Sequence, residues 1–203
     1  MEFDFRSIPA QNRYKLLVSL VVPRPIAWVS TCNPNGSINV APFSFFNAIG
    51  SDPALVVMGI GDHPDRPKDT AVNIERTKEF VVNLVPESLA QAMSDSATDF
   101  PPNVSEVAEL GLHTASSSRV LPPRIVGSPA ALECKLERIL TIGENRIVFG
   151  EVISAWVEDQ FVLSPEKAYI DTNAFKLIGR MSGLGGYAST RDTFQIERKK
   201  FGG

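Results

Sequence analysis

Arg66, Lys68 and Thr70 fall together in the stretch DRPKDTAVNI, two cations and a hydroxyl at the start of a segment with helical spacing. A phosphate ester needs positive charge and N–H donors, and this trio supplies both together with a helix N-terminus. The plainer reading of the same residues is a capped helix with two solvated cations. A second stretch, RPIAWVSTCNPNGSINVAPFSFFN from Arg24 to Asn47, ends in aromatic rings mixed with Ser44 and Asn47. Ser, Asn and backbone N–H groups suit the polar edge of a flat ligand, and the rings of Trp28, Phe43 and Phe45 or Phe46 suit its faces. Each ring taken singly fits core packing equally well. Together the two stretches predict a grip on opposite ends of one flat, phosphorylated ligand.

Other constellations carry less. His63 and His113 are the only histidines, too far apart in sequence to declare a metal cluster. Cys32 and Cys134 lack the CxxC spacing of a zinc or redox motif and read as idle thiols. GLGGYA, from Gly183 to Ala188, satisfies a loose dinucleotide fingerprint. No strand-turn-helix unit with a following acid fits before the chain ends, so it reads as a glycine loop able to close over a ligand.

The elements that must position these residues are mostly strands. Ile26 to Thr31 and Ser37 to Ala48 flank the turn NPNG, where Pro34 presets its own φ and Gly36 accepts a positive one, so the pair predicts a hairpin. ALVVMGIG predicts a strand covered on both sides, and EFVVNLV another. Between them DTAVNIERTKEF predicts a short helix capped by Asp69 or Thr70, with Ala71, Ile74 and Val72 facing inward. PESLAQAMSD predicts a further helix through Leu89, Ala92 and Met93. The Pro- and Ser-rich region from Ala97 to Pro129 predicts an excursion with a helical patch at SEVAELG. AALECKLERILTIGENRIVFGEVISAWVED alternates apolar and polar residues on either side of GEN, the pattern of a long antiparallel hairpin. Hairpin-linked strands with helices as inserts favour a closed or nearly closed barrel, because closure removes exposed edges.

Composition sets the outer limits. A chain of 203 residues, 43% hydrophobic and 21% charged, predicts one sizeable core and a single domain over 1–203. A net charge of -3 argues against a nucleic-acid footprint, and ERKK near the C-terminus reads as a solvated tail end. The acidic start MEFDFRSIPAQNRYK has no apolar h-region, and no segment approaches the ~18 uninterrupted apolar residues of a membrane helix. The expectation is a soluble, cytoplasmic protein without a nucleic-acid or membrane partner.

RPIAWVST, the glycine turn, NVAPFSFFN, KDTAVNI, EFVVNLV, then GLHTASSSRVLPPRIVGSPAALECKLE and LIGRMSGLGGY together resemble the flavin reductase-like family of FMN-binding split barrels, from Tyr14 to Tyr187. The resemblance implies a mainly β fold, an antiparallel split β-barrel with short helical insertions. It implies that Trp28, Ser30 and Thr31 approach the flavin, that Asn39, Ala41, Pro42, Phe43, Ser44 and Asn47 line the isoalloxazine and ribityl chain, and that Lys68 and Thr70 hold the phosphate with Arg66 as helper. The cofactor implied is FMN, with FAD as the larger alternative, and NADH or NADPH is the electron donor. The reaction implied is hydride transfer from nicotinamide to flavin N5, which needs stacking and N–H donors more than an acid–base residue. Three alternatives stay open: a flavin electron carrier reduced by another protein, an oxidase of a pyridoxamine phosphate, and a barrel without cofactor. Many reductases of the family have a histidine in the hairpin turn where this chain has Asn145. His113, Arg180 and Tyr187 are candidates for the nicotinamide side. The resemblance also implies a homodimer burying PFSFFN, with a monooxygenase or other electron acceptor as partner.

Overall fold

The structure, a computed structural model, describes residues 1–183, 185–197 and 199. Positions 198 and 200 of the ERKK stretch and position 184 of the glycine loop lie outside the described residues. The first helix, α1 (Ala10–Leu20), starts after Pro9 without a side-chain cap and buries only Val18. The strands β1 (Ala27–Cys32) and β2 (Ile38–Phe43) follow, paired antiparallel. Their turn is closed by Asn33 N–H donating to Ser37 O at 2.8 Å, with Gly36 at φ 85°.

β2 does not run on to Ala48 as the sequence suggests. The chain breaks at Ser44 and Phe45 and resumes as β3 (Phe46–Ser51), which pairs with β4 (Ala54–Gly61). Next come α2 (Asp69–Thr77), β5 (Glu79–Asn83), a 3-10 turn at Glu87–Leu89, α3 (Ala90–Asp95) and α4 (Glu106–Glu109). Two short strands, β6 (Thr114–Ala115) and β7 (Arg124–Ile125), precede the long hairpin of β8 (Ala130–Ile142) and β9 (Asn145–Val157). The chain ends through β10 (Val162–Ser164), β11 (Tyr169–Ile170), β12 (Ile178–Arg180) and β13 (Tyr187–Ser189).

The main sheet is antiparallel with strand order β2-β1-β5-β8-β9-β4-β3, so the two residues between β2 and β3 join opposite edges. Laid flat, those edges would stand about 29 Å apart at the usual strand spacing, whereas two extended residues reach only about 7 Å. The sheet must therefore curl until its edges meet, and Gly59 N–H donating to Phe45 O at 2.7 Å ties the corner to β4. The result is a split barrel.

Its interior is filled by Ala27, Val29, Met58, Phe80, Val82 and Val148, with Ile74 of α2 closing one end. The other face of β1 is covered as well: Trp28 packs with Val40, Val85, Met93, Ile125 and Ile178 in a second apolar cluster. β4, expected to be covered on both sides, instead alternates, with Val56, Met58 and Ile60 buried and Leu55, Val57 and Gly59 half-buried between them. α2 buries Ala71 and Ile74 as expected but adds Thr70 and Asn73, and turns Val72 outward at 42% exposure. Neither Asp69 nor Thr70 caps it, because Lys68 occupies the N-cap position and makes no side-chain cap. No helix among the described residues is long and apolar enough to cross a membrane.

Candidate functional site

The end of β2 and the start of α2 form a compact pocket of about 90 Å³, lined by Asn39, Pro42, Phe43, Arg66, Lys68 and Thr70 on one side and by the segment 96–100 on the other. That volume accommodates a group of a few atoms and not a ring system. Thr70 is held by Asn39, whose Nδ2 donates to Thr70 Oγ1 at 2.9 Å and to Thr31 Oγ1 at 3.1 Å. Because the Thr70 oxygen accepts from Asn39, its own proton remains available to a ligand. The uncapped start of α2 leaves its first backbone N–H groups for an anion. Lys68 is half-buried and has no carboxylate partner among the described residues. Arg66 is committed, its Nη1 lying 3.2 Å from Asp69 Oδ1 and its Nη2 3.6 Å from Asp99 Oδ1. His63 Nε2 lies 3.4 Å from the same Asp99.

Glu106 also lines this pocket. Its Oε2 accepts Val40 N–H at 2.9 Å, covering the outer edge of β2. Burial pushes its carboxyl above the usual range, with nearby Asp69 adding to the shift and the bond from Val40 opposing it. Since Val40 N–H points outward, residue 42, two further along the strand, also presents its nitrogen outward. Pro42 therefore removes no rung from the ladder and leaves the edge free of a donor.

A wider cleft of about 630 Å³ opens on the other side of Pro42. Pro42 and Ala97 belong to both cavities, so the two adjoin. Tyr14 of α1, Ile26, Met93 and Tyr187 give the cleft apolar and aromatic walls, Ser44, Gln91 and Ser94 its polar points, and Arg180 its one charge among the described residues. Arg24, 5% exposed, stands behind Ser44 and donates to Ser44 Oγ from Nε at 3.3 Å. Burial lowers the pKa of its guanidinium.

Of the residues singled out from sequence, Asn39, Ala41, Pro42, Phe43, Arg66, Lys68 and Thr70 meet in the compact pocket, and Ser44 joins Pro42 in the wide cleft. Trp28, Ser30 and Thr31 reach neither and are fully buried. Trp28 donates from Nε1 to Ser96 Oγ at 2.9 Å, Ser30 donates to Pro123 O, and Thr31 accepts from Asn39 and Asn73. Thr31 thus acts on the pocket only through Asn39. Asn47 is exposed on the edge strand β3, where its Oδ1 accepts Ala48 N–H. Phe45 is 44% exposed beside Tyr14, and Phe46 packs against the barrel core. Tyr187 and Arg180 line the wide cleft, whereas His113 and Asn145 are exposed and line neither cavity. Sequence reasoning missed Tyr14, Met93 and Glu106 as lining residues. The available signals were helical: PESLAQAMSD for Met93 and the patch SEVAELG for Glu106.

The family model described as flavin reductase like domain matches residues 19–176. An uncharacterized protein of Deinococcus radiodurans is 46% identical over 201 residues, covering 97% of this chain and 88% of that one. The solved structure of Pseudomonas fluorescens 2-nitrobenzoate 2-nitroreductase NbaA is 32% identical and superposes with a TM-score of 0.91 over 99% of this chain and 98% of the other. Nitrilotriacetate monooxygenase component B from Bacillus cereus is 28% identical, with a TM-score of 0.90 over 97% and 98%.

Proposed function

The chain belongs to the flavin reductase like family, and from that premise we propose that it is an oxidoreductase that holds FMN and reduces it with NADH or NADPH. The observation that carries this reading is the adjoining pair of cavities. A compact pocket with a lysine that has no carboxylate partner among the described residues, a hydroxyl proton and uncapped helix N–H groups meets, at Pro42 and Ala97, a cleft wide enough for a tricyclic ring. When bound, the flavin would supply the redox chemistry, hydride acceptance from a nicotinamide and onward electron transfer.

The chain supplies binding, orientation and exclusion of water. Lys68, Thr70 and the start of α2 hold the phosphate, and Asn39 fixes the Thr70 hydroxyl. Ser44, oriented by Arg24, faces the ring system from the strand corner. Tyr14 and Tyr187 narrow the cleft so that two flat rings stack in place of water. The acceptor is a monooxygenase or another electron acceptor, in keeping with the names of the Bacillus cereus and Pseudomonas fluorescens relatives.

A homodimer is part of the proposal. Among the described residues β3 is an edge strand of the sheet with Ile49 exposed, and Phe45, beside Tyr14 of α1, is exposed, as are Leu17 and Leu20 of that helix. A patch of this kind is rarely left uncovered. A monomer mass of 22.1 kDa in light scattering of the FMN-loaded protein would overturn that part alone.

The deciding experiment is an anaerobic mixture of the protein, FMN and each nicotinamide, followed at the flavin absorbance band. Bleaching by NADH or NADPH is expected. Bound FMN that neither donor bleaches would favour the electron-carrier reading, and failure to bind FMN would refute both.

A further inference from the structure

Arg24 and Arg180 face each other across an isolated antiparallel bridge, Arg24 N–H donating to Arg180 O at 2.9 Å and Arg180 N–H to Arg24 O at 2.8 Å. Directly opposed residues send their side chains to the same face, and like charges so placed repel. No carboxylate among the described residues pairs with either guanidinium, and no Asp or Glu lines the adjoining wide cleft. The fold therefore sets two cations side by side without a counter-charge.

The two differ in what their donors do. Arg24 commits four of its five N–H donors: Nη1 donates to Val18 O at 2.7 Å and to Val21 O at 2.8 Å, Nη2 to Met181 O at 2.8 Å, and Nε to Ser44. It ties α1, the strand corner and the segment after β12 together around the cleft. Arg180 is half-buried and among the described residues makes one side-chain hydrogen bond, from Nη1 to Gly186 O at 3.5 Å. Its strand partner Tyr187 carries the guanidinium 4.7 Å above the ring. That cation–π contact restrains the guanidinium at the cleft wall while leaving most of its N–H donors for a ligand.

A flavin phosphate already has its place at Lys68 and Thr70, on the other side of Pro42. A second cationic centre in the wide cleft calls for a second anion. We propose that Arg180, stacked on Tyr187 and held beside Arg24, is the residue by which the cleft recognises an anionic group on the second substrate, either the pyrophosphate of a dinucleotide donor or the carboxylate of an aromatic acceptor. The proposal rests on the reading of the cleft as the flavin-ring site.

The test uses Arg180→Gln and Arg180→Lys, with ligand affinities measured by calorimetry on the FMN-loaded protein. The probes are NAD+ against nicotinamide, and benzoate against benzamide. Arg180→Gln is expected to weaken the charged member of one pair about tenfold or more, and the pair affected identifies the source of the anion. The uncharged members and FMN itself are expected to stay within about twofold. Arg180→Lys, which keeps the charge without the planar fork, is expected to recover part of the loss. Equal losses for charged and neutral probes, no loss for either charged probe, or a loss of FMN affinity as large as the probe loss would overturn the assignment. If FMN does not bind to the wild type, the flavin reading fails. The same probes titrated on the flavin-free protein then still decide whether Arg180 selects for charge.

Discussion

Replacing Lys68 by Ala removes the one cation of the compact pocket that has no carboxylate partner among the described residues, while the backbone N–H groups of α2 stay in place. A hydrogen bond to a charged group is worth about 1.5–3 kcal/mol. Lys68 is half-buried, so solvent screening places it near the lower end of that range. The expected loss in FMN affinity is therefore roughly 10- to 30-fold. Riboflavin, which lacks the phosphate, is expected to bind both proteins alike, so the preference for FMN over riboflavin falls by the same factor. Arg66→Ala is expected to cost less than Lys68→Ala, because Asp69 and Asp99 already neutralise that guanidinium. Thr70→Ser, which keeps the donor, is expected to preserve the preference, and Thr70→Ala to erode it. Quenching of flavin fluorescence at fixed ionic strength measures both affinities, and melting of the flavin-free variants separates binding from folding. Equal losses for FMN and riboflavin in Lys68→Ala, or a larger effect at Arg66 than at Lys68, would refute the phosphate assignment.

Glu106→Gln keeps an oxygen acceptor for Val40 N–H but does not titrate. Because burial raises the folded-state pKa of Glu106 above its ordinary 4.5, the wild type is expected to lose stability relative to the variant as pH rises from about that value, with the difference becoming independent of pH in acid. Denaturation midpoints across acid to neutral pH check the sign, and a wild type that gains on the variant as pH rises would contradict it. A Cβ at Gly150 would run into the Phe80 ring at Cζ and Cε1. Gly150→Ala is accordingly expected to cost about 1–3 kcal/mol in urea unfolding, and an unchanged midpoint would show that the core yields there. Burial pushes the Cys134 thiol up to about 12. It is expected to resist alkylation in the folded protein and to react once unfolded, as read by mass spectrometry.

The parts of this fold that the sequence announced are those whose cause is local. The turn at Gly36 and the alternation through β8 and β9 with Gly143 between them are properties of a few neighbouring residues. The gathering of Arg66, Lys68 and Thr70 is equally local, because the start of one helix collects them. The break at Ser44 and Phe45 is different. NVAPFSFFN reads as one strand until the sheet has curled, and only then does a corner between its two edges become necessary. α1 was hidden for a related reason. It buries one residue and carries no cap, so nothing in its own composition declares it, yet it brings Tyr14 to the wide cleft.

The hydroxyls of β1 show why a polar residue in an apolar strand is ambiguous evidence for a ligand. Alternation separates a core face from a working face only when one side of the strand is open, and β1 is buried on both sides from Ala27 to Thr31. Ser30 and Thr31 are therefore obliged to find partners within the protein. Asn83 donates to Ser30 Oγ and to Trp28 O while accepting Ile125 N–H, which anchors β7 against the sheet. Thr31 accepts from Asn39 and Asn73, the first reaching Thr70 and the second reaching Asn33 at the turn. In this structure the motif specifies the scaffold one layer behind the two cavities. The residues facing the two cavities come from β2 and the strand corner, the start of α2, α1, α3, the segment 96–100, α4 and the last hairpin. Those elements are far apart in the chain, and only the curled sheet brings them together.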